Sequence, residues 1–530
     1  MSFISMEFAL FVAIVLTVFY LVPKKWQWIV LLVASYIFYA MNGVGNLAYI
    51  VITTLSAYVC AYLIERAAKG QEKYLQDNKD VLSKDEKKAY KASVKKKQRR
   101  YLVAGLLINF GILAFLKYGN VPIAYFNYYR LLLFGSTDLI PPITLLPLGI
   151  SFYIFQSMGY LIDIYFGRYE REHNPFRFAL YVSFFPQIVQ GPISRFGQLA
   201  PQLFSEKKFD ILRIRSGFVR VMWGLFKKLI IADRLGAFVS AVMIQKTGYT
   251  GAYILLAVFF YSMQIYGDFS GGIDVALGVA EMFGISLTEN FERPFFSKSI
   301  SEYWQRWHIT LGTWFKDYIF YPLSLNKSII KLGKKAREHN LQMLGKRIPI
   351  YIPMLFVWTL TGMWHGSENR YVVWGLMNFV FIVLGTETEV LSKKITQALN
   401  LDERSFLMRA YRVTKTFWLM SFLRLFDINE NAKEAFKAFR LLFTGWGSFD
   451  INSVFNDLFL PKEDFIAALI AIVVLFVFEL IQRKGSVRER LFALPVVPRR
   501  AIIILLILVV AIFGNYGLGY NASSFIYGAF

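Results

Sequence analysis

Residues 47–64 read LAYIVITTLSAYVCAYLI, an apolar run that contains no charged side chain. A helix needs about 20 consecutive apolar residues to cross the hydrocarbon core of a bilayer, so this run predicts a transmembrane helix. The chain as a whole is 56% hydrophobic and 18% aromatic over 530 residues, which is outside the range of soluble domains. The sequence therefore predicts an all-α, polytopic integral membrane protein. Further predicted spans lie at 8–22, 26–41, 101–116, 252–266, 348–364, 371–384, 465–480 and 501–513.

Other apolar segments carry Pro, Gly or charge, namely 146–166, 176–188 and 417–426. Irregular backbone is tolerated at membrane depth only where protein surrounds it, so these segments predict short, broken or re-entrant helices. The stretch 184–196 contains Pro186 and Pro192, which remove backbone donors, and predicts a re-entrant loop. Residues 207–234 mix basic and apolar side chains, which indicates an interfacial helix on the cytoplasmic face or, alternatively, a short buried segment.

The formal net charge of +23 is concentrated in a few segments. The first of them, residues 66–100, lies between two predicted spans, and the positive-inside rule places it in the cytoplasm. Alternation of sides from there puts the N-terminus outside, and the basic residues of 483–500 put the C-terminus outside as well. Anionic lipid explains lysine and arginine beside membrane spans. Because no nucleic-acid-binding module accompanies them, we expect no nucleic-acid partner.

The strongest candidates for chemistry are two of the four histidines, His308 and His365. Both lie among tryptophans in a largely apolar chain, where an ionisable side chain is a functional-site hypothesis by default. His173 and His339 lie in charged loops, where a solvated surface position is expected. On residue chemistry alone, a structural hydrogen-bonding role for His308 is as good an interpretation as a functional one.

The sequence before His308 predicts the start of a helix. Ser299 and Glu302 match a capping box, and the helix that begins there should run through Trp314. Glu302 should also form an ion pair with Arg306, one turn further on. Three residues of the helix would form one stripe, namely Trp304, His308 and Gly312.

His365 follows an apolar helix that is predicted to begin near Ile348. At 1.5 Å per residue, the chain rises roughly 25 Å between these two positions, which places His365 toward the outer side of the membrane. Pro349 and Pro353 could shorten this path. A neutral imidazole can accept the proton of a hydroxyl group, which ester formation from a thioester requires.

Other chemistries have less support. The glycine-rich segment around Asp268 and Asp274 follows no strand and lacks the spacing of a dinucleotide site. Two aspartates without histidine or glutamate at ligand spacing do not indicate a metal site, so we expect no metal and interpret them as partners of a buried arginine or as helix caps. A serine nucleophile elbow is absent. The single cysteine, Cys60, is expected to be a buried core residue.

Three groups of residues, in this order along the chain, resemble motifs of the membrane-bound O-acyltransferase family. They are Phe185-Pro186-Gln187 with Gln190-Gly191-Pro192, the helix 304–308 followed by Trp314-Phe315-Lys316-Asp317-Tyr318, and Trp364-His365-Gly366. The chain length and the ending Ser524-Phe525-Ile526-Tyr527 are similar to the bacterial branch that contains the alginate O-acetyltransferase membrane subunit and the teichoic acid D-alanyl transferase.

The resemblance implies a bundle of about 10–13 membrane helices, with re-entrant and interfacial helices around a central passage. We expect N-terminal membrane helices at 1–120 with a basic cytoplasmic loop at 65–100, a catalytic core at 121–390, and C-terminal membrane helices at 391–530.

The resemblance also implies roles for individual residues. His365 matches the family's catalytic histidine and is expected to act as general base toward the acceptor hydroxyl. His308 matches a second polar position and is expected to polarise the thioester carbonyl or to orient the donor. Further candidates along the passage are Trp304, Trp307, Trp364, Gln190 and Asp317.

The implied reaction moves an acyl group, expected to be acetyl, from a cytoplasmic thioester to an extracellular or cell-envelope polysaccharide. The donor would be acetyl-coenzyme A or an acyl carrier protein, and no bound cofactor is expected. In related export systems an extracellular SGNH-type partner delivers the acyl group, so such a partner is expected. D-alanyl transfer to teichoic acid is one alternative. A transporter is the non-enzyme alternative, and it would predict symmetry between two halves, which is not evident.

Overall fold

The computed structural model of the chain describes residues 3–135, 139–144, 147–244, 251–444, 446, 450, 452, 455–456 and 461–516. The chain is about 80% helical, and the described residues contain no β-strand, which confirms the predicted all-α class. By their internal contacts they form two compact units. The first comprises Met1–Arg215 and Val279–Leu287, and the second comprises Ser216–Gly278 and Thr288–Gly528. The C-terminal resemblance at 524–527 lies outside the described residues.

The first unit contains helices of very different length. They are α1 (Met6–Leu21), α2 (Gln27–Ala40), α3 (Leu47–Asp77), α4 (Lys84–Tyr118), α5 (Asn120–Phe134), α6 (Ile150–Phe166), α7 (Pro175–Ser183), α8 (Phe185–Ile188) and α9 (Phe196–Phe204). A capping box of Ser83 and Glu86 starts α4, which continues from the basic sequence directly into the apolar sequence. Helix α6 packs against both α3 and α4. Cys60 of α3 is buried, as predicted.

The stretch 184–196 is broken into short pieces, as predicted. Helix α8 has only four residues, and its surroundings are buried throughout. Side chains link this stretch to its surroundings, because the Gln187 amide donates to the side-chain oxygen of Gln156 at 2.9 Å and accepts from the Ser194 hydroxyl at 3.0 Å. Such internal partners are what irregular backbone at membrane depth requires.

The second unit contains the remaining helices. They are α10 (Ile211–Leu225), which begins in the first unit, α11 (Asp233–Ile244), α12 (Ala252–Met282), which ends in it, α13 (Ile300–Arg306), α14 (Ile309–Phe315), α15 (Tyr321–Ser324), α16 (Lys327–Glu338), α17 (Gln342–His365), α18 (Asn369–Glu387), α19 (Glu389–Ala398), α20 (Phe406–Leu423), α21 (Leu425–Ile428), α22 (Ala432–Leu441), α23 (Lys462–Gln482), α24 (Val487–Ala493) and α25 (Val496–Phe513). Two π-helical stretches, Phe226–Ala232 and Lys316–Phe320, follow α10 and α14.

The sequence predicted an interfacial helix over 207–234. This prediction is wrong for the π-helical stretch Phe226–Ala232, which is buried. The buried alternative holds there because the two lysines meet carboxylates of α12. Lys227 lies 2.6 Å from Asp274, and Lys228 lies 2.6 Å from Asp268. Of the two aspartates that were expected to pair with an arginine or to cap a helix, Asp274 pairs with Arg220 at 2.9 Å, whereas the partner of Asp268 is a lysine.

The apolar helix that begins at Ala252 does not end at the glycine-rich segment, which is a second correction. Helix α12 continues through it to Met282. A side chain on Gly271 would come within 2.7 Å of the Gly224 carbonyl oxygen, and one on Gly224 within 2.5 Å of the Gly271 carbonyl oxygen. These glycines therefore allow α10 and α12 to cross closely, as small residues do between membrane helices.

Five helices among the described residues are long and apolar enough to cross a membrane, and six if α18 and α19 form one bent span. The five segments are Val44–Asp77, Lys84–Tyr118, Ala252–Met282, Lys462–Gln482 and Val496–Phe513. The other predicted spans also fold as helices, although α1 and α2 are shorter.

Candidate active site

His308 occupies a break between two short helices. Its backbone lies in the left-handed region, with φ 49° and ψ 51°, a conformation that is unfavourable for a residue with a side chain. The predicted continuous helix with Trp304, His308 and Gly312 on one stripe is therefore wrong. Helix α13 begins at the predicted cap, where the Ser299 hydroxyl accepts from the Glu302 N–H, and it ends at Arg306. The predicted ion pair between Glu302 and Arg306 is present at 2.6 Å.

Asn290 holds the turn at His308. Its side-chain oxygen accepts from the backbone N–H of Thr310 at 2.9 Å and from the Thr310 hydroxyl at 3.0 Å. The Nδ1 atom of His308 lies 3.3 Å from the amide nitrogen of Asn290 and 3.4 Å from its side-chain oxygen. An Nδ1 atom that accepts from the nitrogen leaves the proton of a neutral imidazole on Nε2, whereas one that donates to the oxygen carries the proton itself, so Asn290 orients the ring in either tautomer.

His308 is neutral at physiological pH. Its side chain is buried, and burial lowers the pKa of the imidazole to about 3. The residue lies between two seven-residue helices, outside the membrane-spanning helices. A neutral, oriented imidazole can donate a hydrogen bond through one ring nitrogen but does not supply a full positive charge.

Behind His308, Trp307 is fixed by a buried arginine. The Trp307 ring stacks on Tyr303, with ring centroids 5.6 Å apart, and the Arg424 guanidinium lies 4.6 Å from the Trp307 ring centroid. Arg424 also donates to the Tyr303 hydroxyl at 3.0 Å and to Asp427 at 2.9 Å. Cation–π contact and charge-assisted hydrogen bonds together fix the position of the segment that precedes His308.

His365 is the last residue of α17, and its side chain is buried. Three aromatic rings surround the imidazole. Trp364 lies 4.9 Å away between ring centroids, Trp374 lies edge-on at 4.7 Å, and Tyr371 is stacked at 6.1 Å. The Tyr371 hydroxyl accepts from Arg370 at 3.1 Å. His365 therefore sits in a rigid aromatic environment.

Trp364 connects the two histidines. Its ring centroid lies 5.7 Å from that of His308 and 4.9 Å from that of His365. Trp304 joins the same group of rings through Trp374, at 5.6 Å. The structure thus brings together two histidines that are 57 positions apart in the sequence.

Comparison with known proteins shows the family to which this chain belongs. The family profile described as MBOAT, membrane-bound O-acyltransferase family, matches residues 168–426, which include both histidines. A probable alginate O-acetylase AlgI from Pseudomonas syringae pv. tomato is 30% identical over 445 residues, which cover 84% of this chain and 75% of that protein. The chain belongs to the membrane-bound O-acyltransferase family. It is therefore an acyltransferase, as predicted, and the transporter alternative is set aside.

Other relatives of this O-acyltransferase act on different polymers. A peptidoglycan O-acetyltransferase from Helicobacter pylori is 30% identical over 68% of this chain and 63% of that protein. A teichoic acid D-alanyltransferase from Bacillus subtilis is 28% identical over 48% of this chain and 62% of that protein.

The other predicted site residues of the O-acyltransferase lie in different surroundings. Gln190 belongs to the first unit, where it is fully buried, and neither atom of its amide group has a hydrogen-bond partner among the described residues. Asp317 lies half-buried in the π-helical stretch after α14. His173 and His339 are exposed, as predicted. The catalytic roles of His365 and His308 stay predictions.

Several residues of the site were not among the sequence candidates. They are Asn290, Tyr371, Trp374, Asn378 and Arg424. Trp374 and Asn378 are four positions apart in an apolar helix, and a polar residue on one face of such a helix is a signal that could have been used. Asn290 lies in a loop and gives no signal of this kind. Its importance follows only from its contact with His308.

Proposed function

We propose that this O-acyltransferase moves an acetyl group from a cytoplasmic thioester to a hydroxyl group destined for a cell-envelope or extracellular polysaccharide. The observation that carries the proposal is the pair of buried histidines on either side of Trp364. The activities for which two relatives are named, alginate O-acetylase and peptidoglycan O-acetyltransferase, support an acetyl group and a polysaccharide.

In this proposal His365 acts as the general base. The acceptor oxygen attacks the thioester carbonyl carbon while its proton passes to the imidazole. The carbon–sulfur bond then breaks, and the proton moves from His365 to the departing sulfur, so that an ester and a free thiol are formed. A general base in this position contributes about 10²- to 10⁴-fold to the rate.

His308 has a different proposed role, in which its imidazole is neutral and carries the proton on Nε2. An Nε2–H group suits hydrogen bonding to an oxygen of the thioester donor, either to polarise the carbonyl or to orient the donor. The two histidines would therefore act on different partners of one reaction.

The donor and the partners are part of the proposal. The donor is acetyl-coenzyme A or an acyl carrier protein, and the basic segments at 66–100 and 483–500 suit the negative charge of either. An SGNH-type protein outside the membrane would receive the acetyl group and deliver it to the polymer. Both chain termini would lie outside, because both basic segments would lie in the cytoplasm.

The proposal is tested with purified wild type, His365→Ala and, as a control, the exposed-histidine variant His339→Ala. Release of free thiol from acetyl-coenzyme A is measured with membranes of the producing cell as the source of acceptor and partners. We expect turnover in the wild type and in His339→Ala, and a loss of at least a hundredfold in His365→Ala.

Three other results would change the assignment. Equal turnover in all three proteins would remove His365 from the mechanism. Turnover with an acetylated carrier protein in place of coenzyme A would identify the donor. Turnover only with a D-alanylated carrier protein would favour the teichoic acid alternative, which the Bacillus subtilis relative represents.

A further inference from the structure

Trp374 carries a buried hydrogen-bond donor, its indole N–H group. The side chain is 1% exposed, and its indole N–H has no hydrogen-bond acceptor among the described residues. Buried polar groups in native proteins nearly always have a partner, so each exception needs an explanation. An indole nitrogen can only donate, which means that the missing partner is an oxygen or another acceptor.

The indole N–H group of a neighbouring tryptophan does have a hydrogen-bond acceptor in this fold. The N–H of Trp304 donates to the side-chain oxygen of Asn378 at 3.0 Å. The amide nitrogen of Asn378 donates to the backbone oxygen of Trp374 at 2.9 Å. Asn378 lies one turn from Trp374 on the same helix, but its side-chain oxygen serves Trp304. Of two indoles in contact at 5.6 Å, only that of Trp304 has an acceptor in the part of the chain that the structure describes.

The unused donor belongs to a ring that touches His365. The Trp374 ring meets the imidazole edge-on, with centroids 4.7 Å apart and an interplanar angle of 72°. Its position is fixed by the close crossing of α17 and α18. A side chain on Gly375 would collide with the Trp358 backbone oxygen, and one on Gly362 would collide with the Tyr371 backbone oxygen.

We propose that the indole N–H of Trp374 donates a hydrogen bond to the carbonyl oxygen of the acyl group during transfer at His365. The inference rests on the acyl transfer proposed above. When the acceptor oxygen attacks, the electron pair of the carbonyl double bond moves onto that oxygen. It returns when the carbon–sulfur bond breaks, and no further reactant is needed.

The carbonyl oxygen fits this donor better than the acceptor hydroxyl does. The hydroxyl gives its proton to His365 and uses a lone pair for attack, so a hydrogen bond to its oxygen would weaken it as a nucleophile. Negative charge develops on the carbonyl oxygen, and a preorganised donor that excludes water stabilises such charge most effectively.

Two changes at this position test the inference. Trp374→Phe keeps an aromatic ring but removes the N–H group. Replacement of Trp374 by benzothienylalanine through nonsense suppression keeps the shape of tryptophan and puts sulfur in place of the N–H group. Trp418→Phe is the matched control, because it removes an indole from the second unit outside the group of rings around the histidines. Steady-state kcat and KM for the thioester donor are measured for all proteins that elute as monodisperse species in detergent.

We expect kcat to fall about a hundredfold in both Trp374 variants, with KM for the donor within about threefold of wild type, and no comparable loss in Trp418→Phe. A benzothienylalanine protein with wild-type kcat would overturn the inference and assign any loss in Trp374→Phe to packing. Equal losses in Trp374→Phe and Trp418→Phe would overturn it too. A failure of the acyl-transfer proposal is seen separately, as absence of turnover in the wild type.

Discussion

His308 combines an unfavourable backbone conformation with a specific side-chain partner. Left-handed backbone at a non-glycine residue costs on the order of 1–3 kcal/mol and persists only where its surroundings hold it. Asn290 provides that support from both sides of the turn, since its backbone oxygen accepts from the Ile309 N–H at 3.0 Å and its side chain bonds Thr310 and His308. One asparagine thus caps α14 and orients the imidazole.

Asn290→Ala should therefore reduce activity more than it reduces stability. Loss of a helix cap costs about 1 kcal/mol, whereas an imidazole without its Nδ1 partner loses its fixed orientation, so we expect kcat to fall at least tenfold. The control is Asn326→Ala, which removes the cap that Asn326 gives to α16 through the Ser328 N–H at 2.9 Å. Thiol-release kinetics and thermal unfolding are measured for both. Equal activity in the two variants would contradict the role of Asn290.

At the scale of the element, the important feature is the crossing of α17 and α18. Gly362 and Gly375 have no side chain at the crossing, so the backbones of the two helices are in direct contact. Small residues give membrane helices this kind of close packing. The consequence is chemical, because α17 ends in His365 and α18 presents Tyr371 and Trp374 to the imidazole.

Gly375→Ala should push the helices apart and move Trp374 away from His365. Overpacking of this kind costs about 1–3 kcal/mol, and we expect a lower Tm together with a kcat reduced about tenfold. Gly385→Ala in the same helix is the control, because nothing lies within 4 Å of the added methyl group. It should keep full activity and unchanged or higher stability, since alanine is the better helix former by about 1 kcal/mol. Equal effects of the two substitutions would contradict the interpretation.

At the scale of the whole molecule, α3 and α4 are too long for the bilayer alone. They contain 31 and 35 residues, which is about 46 and 52 Å at 1.5 Å per residue, whereas the hydrocarbon core is about 30 Å thick. Their neighbouring ends carry the basic residues of 66–100, which we expect to extend into water. The positive-inside rule predicts that this end lies in the cytoplasm.

Cysteine labelling in intact cells tests the orientation. In a Cys60→Ala background, which removes the single native cysteine, Lys91→Cys should react with a membrane-impermeant maleimide only after the cells are opened. Gly45→Cys, at an exposed position with nothing within 4 Å, should react in intact cells. The opposite pattern would invert the topology and place the thioester donor on the other side.

Some features of the molecule depend only on local sequence. The helix start at Ser299 and the ion pair of Glu302 with Arg306 were predictable because each involves residues within one turn of each other. The burial of Lys227 and Lys228 was not predictable, because an isolated stretch of lysine and apolar residues fits a membrane interface equally well. Their carboxylate partners on α12, Asp274 and Asp268, lie 47 and 40 positions later, although Lys228 also pairs with the nearby Asp233 at 2.8 Å.

The sequence by itself determined the all-α membrane class, the family and the two histidines, because hydrophobic run length and short motifs are properties of neighbouring residues. Only the tertiary structure decided that the helix breaks at His308, that Asn290 contacts its imidazole, and that the Trp374 indole beside His365 has no acceptor among the described residues. Those facts depend on backbone conformation and on contacts between distant segments. Such contacts arise from close packing of whole helices, and no local pattern encodes them.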